Sequence, residues 1–278
     1  MKKLLFVWIL TALFCCCSKD KQESGFYNLK VASGFLQELL REDTARVAHL
    51  TLEGTLNEKD FQFIRNLSAL EVLDISGVAV KTLPDGACCK MPLLKEVVLP
   101  EGLEVIGERA FADCKQLREC NFPESLREIG EFAFFITDLR EVVLPASLDK
   151  IGDYAISDSP NLTRLVLPEQ YQDRLVGVGG SCPELKSLVI PAGTEFLWWS
   201  GTYTEGTPGE GVGEESPSTV SFDTVRVLSV VPPVADLYLT VKQRKEMVLV
   251  VPQGSKRAYM ESDKEGWGQF EKIIESEK

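Results

Sequence analysis

A single histidine serves all 278 residues, so any Ser-His-Asp or Cys-His relay, and any histidine-containing metal site, would have to be built on His49. Its place at the third position of the alternating stretch Val47-Ala-His-Leu-Thr-Leu52 points it at solvent, the setting of an ordinary surface histidine. The eight cysteines include no Cys-x-x-Cys pair, which removes the common structural zinc motifs. The net charge is −12 and no run of lysines or arginines occurs; a phosphate backbone needs a basic face, so nucleic acid is not expected as a partner. Gly177-Val-Gly-Gly180 has neither the spacing nor the lysine of a phosphate loop. Among 42 acidic residues no pair stands apart as the two carboxylates of a glycosidase would. These absences lead to the expectation of a chain that is not an enzyme, with no cofactor and no metal site.

What the sequence does contain is a repeat. Leu94-Lys-Glu-Val-Val-Leu-Pro100 returns as Leu117-Arg-Glu-Cys-Asn-Phe-Pro123, Leu139-Arg-Glu-Val-Val-Leu-Pro145, Leu162-Thr-Arg-Leu-Val-Leu-Pro168 and Leu185-Lys-Ser-Leu-Val-Ile-Pro191. The steps between leading leucines are 23, 22, 23 and 23 residues. A period of this size with apolar residues at positions 1, 4 and 6 lays one short strand per unit into a shared sheet, which is a solenoid. Ile106-Gly-Glu-Arg-Ala-Phe111, Ile129-Gly-Glu-Phe-Ala-Phe134 and Ile151-Gly-Asp-Tyr-Ala-Ile156 repeat at matching offsets, the glycine at a turn and the Ala-Phe pair behind the sheet. Val47-Ala-His-Leu-Thr-Leu52, Leu70-Glu-Val-Leu-Asp-Ile75, Val225-Arg-Val-Leu-Ser-Val230 and Met247-Val-Leu-Val-Val-Pro252 raise the expected number of rungs to nine.

The combined pattern Leu-x-x-Val-x-Leu-Pro, then Ile-Gly-x-x-Ala-Phe-x-x-Cys, resembles the BspA-like leucine-rich-repeat family of bacterial surface proteins. The resemblance implies a leucine-rich-repeat solenoid, β-rich α/β, with one sheet on a concave face and helical caps at both ends, and a binding or adhesion role toward an extracellular protein. Residues 25–46 are expected to form the N-terminal cap, with Phe35, Leu36, Leu39 and Leu40 at helical spacing, and Asn57 is placed to cap the helix behind the first rung. Repeats follow over 47–196, an insertion rich in glycine, proline and acid over 197–222, and the last repeats with a C-terminal cap over 223–278, where Ser255 can cap a helix.

Met1–Phe14 joins a basic start to a short apolar run, which reads as an export signal, since a membrane span takes roughly 20 apolar residues. Cys15-Cys16-Cys17-Ser18-Lys19-Asp20 resembles the lipobox of bacterial lipoproteins and the surface-export tag of Bacteroidota. That resemblance implies a signal peptide over 1–17, acylation of Cys17, a polar tether over 18–24, and a monomeric outer-membrane lipoprotein at the cell surface. Cys16 would instead place Leu13 three residues ahead of the modified cysteine, and an ordinary secretory signal with incidental cysteines is the plain alternative. The body cysteines Cys88, Cys89, Cys114, Cys120 and Cys182 read as free thiols in the core: Cys114 and Cys182 share a repeat position with Met91 and Ile136, and Cys120 takes an inward place.

With positions 1, 4 and 6 inward, positions 3 and 5 form surface columns. Position 3 stacks Glu96, Glu119 and Glu141, which Lys95, Arg118 and Arg140 are expected to offset as an ionic ladder. Position 5 stacks Val143, Val166 and Val189, an apolar stripe of the kind that marks a contact surface, although valine also suits strands by itself. Trp198, Trp199 and Tyr203 open the insertion next to it in sequence. Together these six residues are the expected ligand site, for an extracellular protein or, through the tryptophans, a polysaccharide.

Overall fold

A computed structural model describes residues 25–40, 44–199, 222–237, 239, 241–262 and 266–277. The alternation read from the repeats produces a line of short parallel strands: β1 (Phe26–Val31), β2 (His49–Gly54), β3 (Val72–Val78), β5 (Glu96–Val98), β7 (Glu119–Cys120) and β9 (Glu141–Val143). The line continues through β11 (Arg164–Val166), β13 (Ser187–Ile190), β15 (Thr224–Val227), β17 (Val248–Val251) and β18 (Lys272–Glu275). Phe26 registers on His49, His49 on Val72 and Val72 on Glu96, so each coil adds one rung. That makes eleven strand positions among the described residues rather than nine, because both expected caps contribute a strand. Phe26-Tyr-Asn-Leu-Lys-Val31 alternates like any rung and is backed by the short helix α1 (Leu36–Leu39); the C-terminal stretch returns to the sheet as β18.

A second line of parallel strands starts at the Ile-Gly motifs, so the expectation of one sheet is corrected. It holds β4 (Thr82–Leu83), β6 (Val105–Ile106), β8 (Glu128–Ile129), β10 (Lys150–Ile151), β12 (Leu175–Val176), β14 (Phe196–Trp199) and β16 (Val234–Leu237). The first line is divided into sheets β1-β2-β3-β5-β7, β9-β11 and β13-β15-β17-β18, and the second into β4-β6-β8-β10 and β12-β14-β16. The break in the second line has a visible cause: the buried phenol of Tyr171 accepts from Ile151 N at 3.2 Å and donates to Arg174 O at 3.0 Å, standing where strand pairing would be. Strand β14 runs past the 196/197 boundary expected for the insertion, pairing Leu197 with Leu175 and Trp198 with Val176.

The motif glycines owe their place to contact between coils. A Cβ on Gly130 would lie 2.6 Å from Glu108 N, and one on Gly152 would lie 2.4 Å from Glu131 N, distances no side chain tolerates, while their φ angles are ordinary. Left-handed backbone sits instead a little further on, at Gly86 and Lys90, Arg109 and Asp113, Phe132 and Ile136, Tyr154 and Asp158, Gly177 and Ser181, two per coil. Each non-glycine residue there costs on the order of 1–3 kcal/mol. The conformation turns amides toward the next coil in return: Arg109 N bonds Glu131 O, Phe111 N bonds Ala133 O and Phe134 N bonds Ala155 O, at 2.8–2.9 Å. Side chains of the first left-handed column also stack, with Arg109 5.2 Å over the Phe132 ring and Phe132 5.4 Å from Tyr154 at 3°. Gly177 ends that column because a Cβ would meet the Tyr154 ring at 2.2 Å.

Behind the first line, helix α2 (Glu58–Ile64) is capped by Asn57, whose Oδ1 accepts from Lys59 N at 2.9 Å. Buried Asp60 returns a bond from Asn57 N and also accepts from Gly34 N and Leu36 N, which ties α1 to α2. Of the four expected cap residues Leu36 and Leu40 are buried, Leu39 is partly buried and Phe35 is exposed. Ser255 precedes helix α3 (Lys256–Met260) but does not cap it; its hydroxyl donates back to Pro252 O. The five body cysteines are free, with Cys88, Cys114 and Cys182 buried and Cys89 and Cys120 half-buried. Burial pushes the Cys114 and Cys182 thiols up to about 12, so they stay protonated. Thr137 and Ser159, not Ile136, continue the Met91–Cys114 column: both are buried and their hydroxyls share a 2.9 Å hydrogen bond.

Close approach at the glycines predicts that Gly152→Ala lowers stability by roughly 1–3 kcal/mol, the usual cost of overpacking. Gly102, with nothing within 4 Å of an added Cβ, is the control, and Gly102→Ala should stay within about 0.5 kcal/mol of the parent. Guanidinium midpoints of the two variants test this; equal midpoints would remove the glycine contact from the account.

Candidate ligand-binding face

Positions 3 and 5 of the first line do face outward: Glu119, Glu141, Arg164 and Ser187 are exposed, while Val97, Val142 and Leu188 between them are buried. The face is interrupted between β7 and β9, where no strand pairing forms although β8 and β10 of the same coils remain paired. The split coincides with the 22-residue step. One residue is missing in the turn before Leu139, and the strand enters early, so Asp138 N bonds Leu117 O at 3.0 Å. Strand β7 is also short because Asn121 uses its side chain in place of backbone: Oδ1 accepts from Leu99 N at 2.6 Å and Nδ2 donates to Leu99 O at 3.1 Å. A depression of about 420 Å³ lies over the split, lined by Glu96, Val98, Arg118, Glu119, Asn121, Arg140 and Glu141.

The expected ionic ladder is not what offsets the acidic row. Lys95 turns to Glu71 at 2.6 Å, Arg118 to Asp138 at 3.2 Å, and Glu141 takes Arg164 at 3.6 Å. Glu96 and Glu119 stand opposite each other in register with no salt-bridge partner among the described residues. The physical reason is reach: each basic residue at position 2 points to the opposite flank from position 3 and meets acids at the edge of the coil. A second acidic row, Glu108, Glu131 and Asp153, follows the motif glycines; burial and like charge raise the Glu131 carboxyl, and burial raises Asp153 while Arg174 clamps it at 2.8 and 2.9 Å. That row stacks by repeat geometry. His49 is stacked on Phe26 at 4.0 Å.

The valine stripe adjoins the depression through β9. Val143 is 47% exposed, Val166 half-buried and Val189 37% exposed. Val143 and Val166 are register partners, whereas Val189 belongs to the next sheet and registers on Arg226. The structure does not bring the tryptophans to the valines in one sheet: Trp198 and Trp199 lie on β14 in the second line, and their side chains are outside the described set. Tyr203 and Cys17 also lie outside the described residues. Sequence reasoning missed the split and the role of Asn121, although the 22-residue step and a polar residue in the valine column were the signals available. Among the described residues no group of His, Cys, Asp and Glu is arranged to hold a metal ion, and no helix is long and apolar enough to cross a membrane.

Stacked parallel rungs with a leucine-based inward column define a leucine-rich-repeat fold. Residues 81–198 match the family model described as BspA type leucine rich repeat region, in six copies. Among solved structures, the chain is similar to a leucine-rich repeat protein from Bacteroides ovatus, at 16% identity over 76% of this chain and 69% of that one, with a TM-score of 0.48. It is also similar to the leucine rich repeat protein of T. pallidum, at 24% identity over 67% and 79% of the two chains, with a TM-score of 0.43. A leucine rich cell surface protein from Faecalibacterium prausnitzii aligns at 14% identity over 84% of this chain and 65% of that one, with a TM-score of 0.33. No curated protein matches the chain.

Facing carboxylates without a cation predict that Glu119→Gln stabilises the fold by roughly 0.2–1 kcal/mol, and more at low salt than at high salt. Thermal melts at two ionic strengths check it. A destabilised variant would mean that Glu119 holds a favourable interaction of its own.

Proposed function

We propose that this chain is a non-enzymatic binding protein, anchored at the bacterial cell surface through acylated Cys17, that presents the outward face of its first strand line to an extracellular protein. The observation that carries the reading is the conjunction on β9: an exposed apolar stripe beginning at Val143 adjoins an open depression edged by Arg140 and Glu141. An apolar centre with a charged, solvated rim is the anatomy of a protein-binding patch. A repeat array supports such a face because each coil is braced by its neighbours, so side chains are held without a ligand. Glycan capture by Trp198 and Trp199 is the second reading, favoured by nothing beyond the residue type; β14 belongs to the other strand line.

The test is a screen of the protein against extracellular matrix proteins and polysaccharides, followed by titration of variants against whatever binds. Val143→Lys should weaken protein binding by about thirtyfold, the equivalent of roughly 2 kcal/mol, with an unchanged melting temperature. Trp199→Ala should have the smaller effect, and the reverse ranking with a polysaccharide ligand would favour the glycan reading. Cells carrying the wild-type chain should retain the ligand, while cells carrying Cys17→Ala should release chain and ligand to the medium. Full retention by that variant would reject Cys17 as the anchor, and unchanged affinity in both face variants would move the site elsewhere.

A further inference from the structure

The split between β7 and β9 lies inside a stretch, 94–168, in which every residue is described. Along a parallel strand successive residues turn their main-chain groups to opposite neighbours. In β9 the residues facing β11 are 140, 142 and 144: Arg164 N bonds Arg140 O at 3.4 Å and Leu144 N bonds Val166 O at 3.0 Å. The N–H and C=O groups of Glu141 and Val143 therefore point the other way, into the split. In β7 it is Glu119 that faces β5, its N bonding Lys95 O at 3.3 Å, so Arg118 O and both main-chain groups of Cys120 point into the split from the opposite lip. A regular pair of coils would join the two sets. Among the described residues no backbone bond does so, and the last one before the split runs from Asp138 N to Leu117 O. Strand β7 stops at Cys120, where Asn121 turns its carboxamide to Leu99, which leaves Val143 with no strand opposite it. Donors and acceptors alternating along a strand edge are the pattern that another polypeptide main chain matches.

We propose, resting on the protein-binding reading above, that the partner enters this split with an extended segment whose main chain pairs with the lips, above all with Glu141 and Val143. Because β8 and β10 of the same coils remain paired, the split closes toward the second line and admits the segment from the outward face. The columns on either side then select its side chains. Level with position 3, a residue of the segment stands between Glu119 and Glu141. Glu141 already holds Arg164 at 3.6 Å, whereas Glu96 and Glu119 face each other with no salt-bridge partner among the described residues, so lysine or arginine is favoured there. Arg118 does not compete for that row, since Asp138 holds it at 3.2 Å, and Arg140 stands at position 2 on the rim. Level with position 5, the next outward residue lies between Asn121 and the 47% exposed Val143, which favours an apolar side chain. The residue between these two points inward at half-buried Cys120 and buried Val142, where only a small side chain has room. The segment thus alternates basic, small and apolar residues.

The probe is an acetylated and amidated peptide, Thr-Val-Ala-Lys-Ala-Val-Thr, which sets valine two residues from lysine in either chain direction; its control carries glutamate in place of lysine. Both are titrated by fluorescence anisotropy into the full-length chain. The lysine peptide should bind about tenfold tighter than the control or better, with the difference narrowing at high salt and on Glu119→Gln. Amide hydrogen exchange with the lysine peptide at saturation reads the main-chain pairing directly: Glu141 and Val143 should slow by about tenfold or more, while Leu144, already bonded to Val166, changes little. Equal affinity for the two peptides, binding without slowing at Glu141 and Val143, or no binding of the lysine peptide to the folded chain would each overturn the proposal. The reading on which it rests fails separately. An extracellular protein that binds, loses affinity on Val143→Lys and is not displaced by the lysine peptide would keep the face and overturn the strand-pairing split. Slowed exchange at Glu141 and Val143 with the peptide, in a chain that binds no extracellular protein, would keep the split and remove that reading.

Discussion

Backbone-to-backbone approach between successive coils is the constraint on which this structure depends. At Gly130 and Gly152 the main chains come so close that a methyl group would overlap the previous coil. At these glycines the repeat demands one residue type for steric reasons, as it does at Gly107, where a Cβ would lie 2.7 Å from Leu83 O; the leucines can be exchanged for isoleucine, valine or cysteine, as Ile190 and Cys120 illustrate. The approach places each motif turn under the next, and the amides that the left-handed residues direct along the solenoid then find carbonyls one coil away. The backbone strain of the eight non-glycine residues with positive φ among the described residues is offset by these bonds and, at Arg109, Phe132 and Tyr154, by stacked side chains.

Because the second strand line and the turns hold successive coils together, the first line can afford to open. It does so between β7 and β9, where a one-residue deletion alters strand entry while β8–β10 pairing and the Phe132–Asp153 and Phe134–Ala155 bonds persist. A globular sheet would rarely tolerate such a gap beside its core. Here the buried column continues through Leu117, Leu139 and Val142, and the gap reaches only the outward surface, as a depression flanked by charge on one side and valines on the other. Variation in repeat length is thereby converted into surface relief, which is what a binding face requires.

Period, inward columns and outward columns were legible because each depends on spacing alone: Leu94, Val97 and Leu99 are buried as the pattern demands, and the cysteines are free as their places in it demand. The second strand line was not legible, since two-residue strands such as Val105–Ile106 leave no alternation to detect. Left-handed residues were equally hidden, because lysine, arginine, phenylalanine and tyrosine occupy positions where glycine would have been the signal. The alignment of Cys114 with Ile136 failed because a count from one side ignored where the missing residue falls; the buried hydroxyls of Thr137 and Ser159 mark the true column. For the candidate site, the valines were read from face and spacing, whereas the fate of Lys95 and Arg118 depended on acids in neighbouring coils, Glu71 and Asp138, that no local pattern couples to them. Adjacency in sequence likewise misled about Trp198 and Trp199, since the chain crosses from one strand line to the other between Ile190 and Phe196.

Residue-resolved amide hydrogen exchange tests most directly whether the turns and second line, rather than the first line, hold the coils together. Strong protection is expected at Phe111, Phe134 and Gly152, whose amides bond across coils, and fast exchange along the β7–β9 lips in the same coils. Uniform protection across the split, or exchange at the turn amides ahead of the first-line strands, would contradict it.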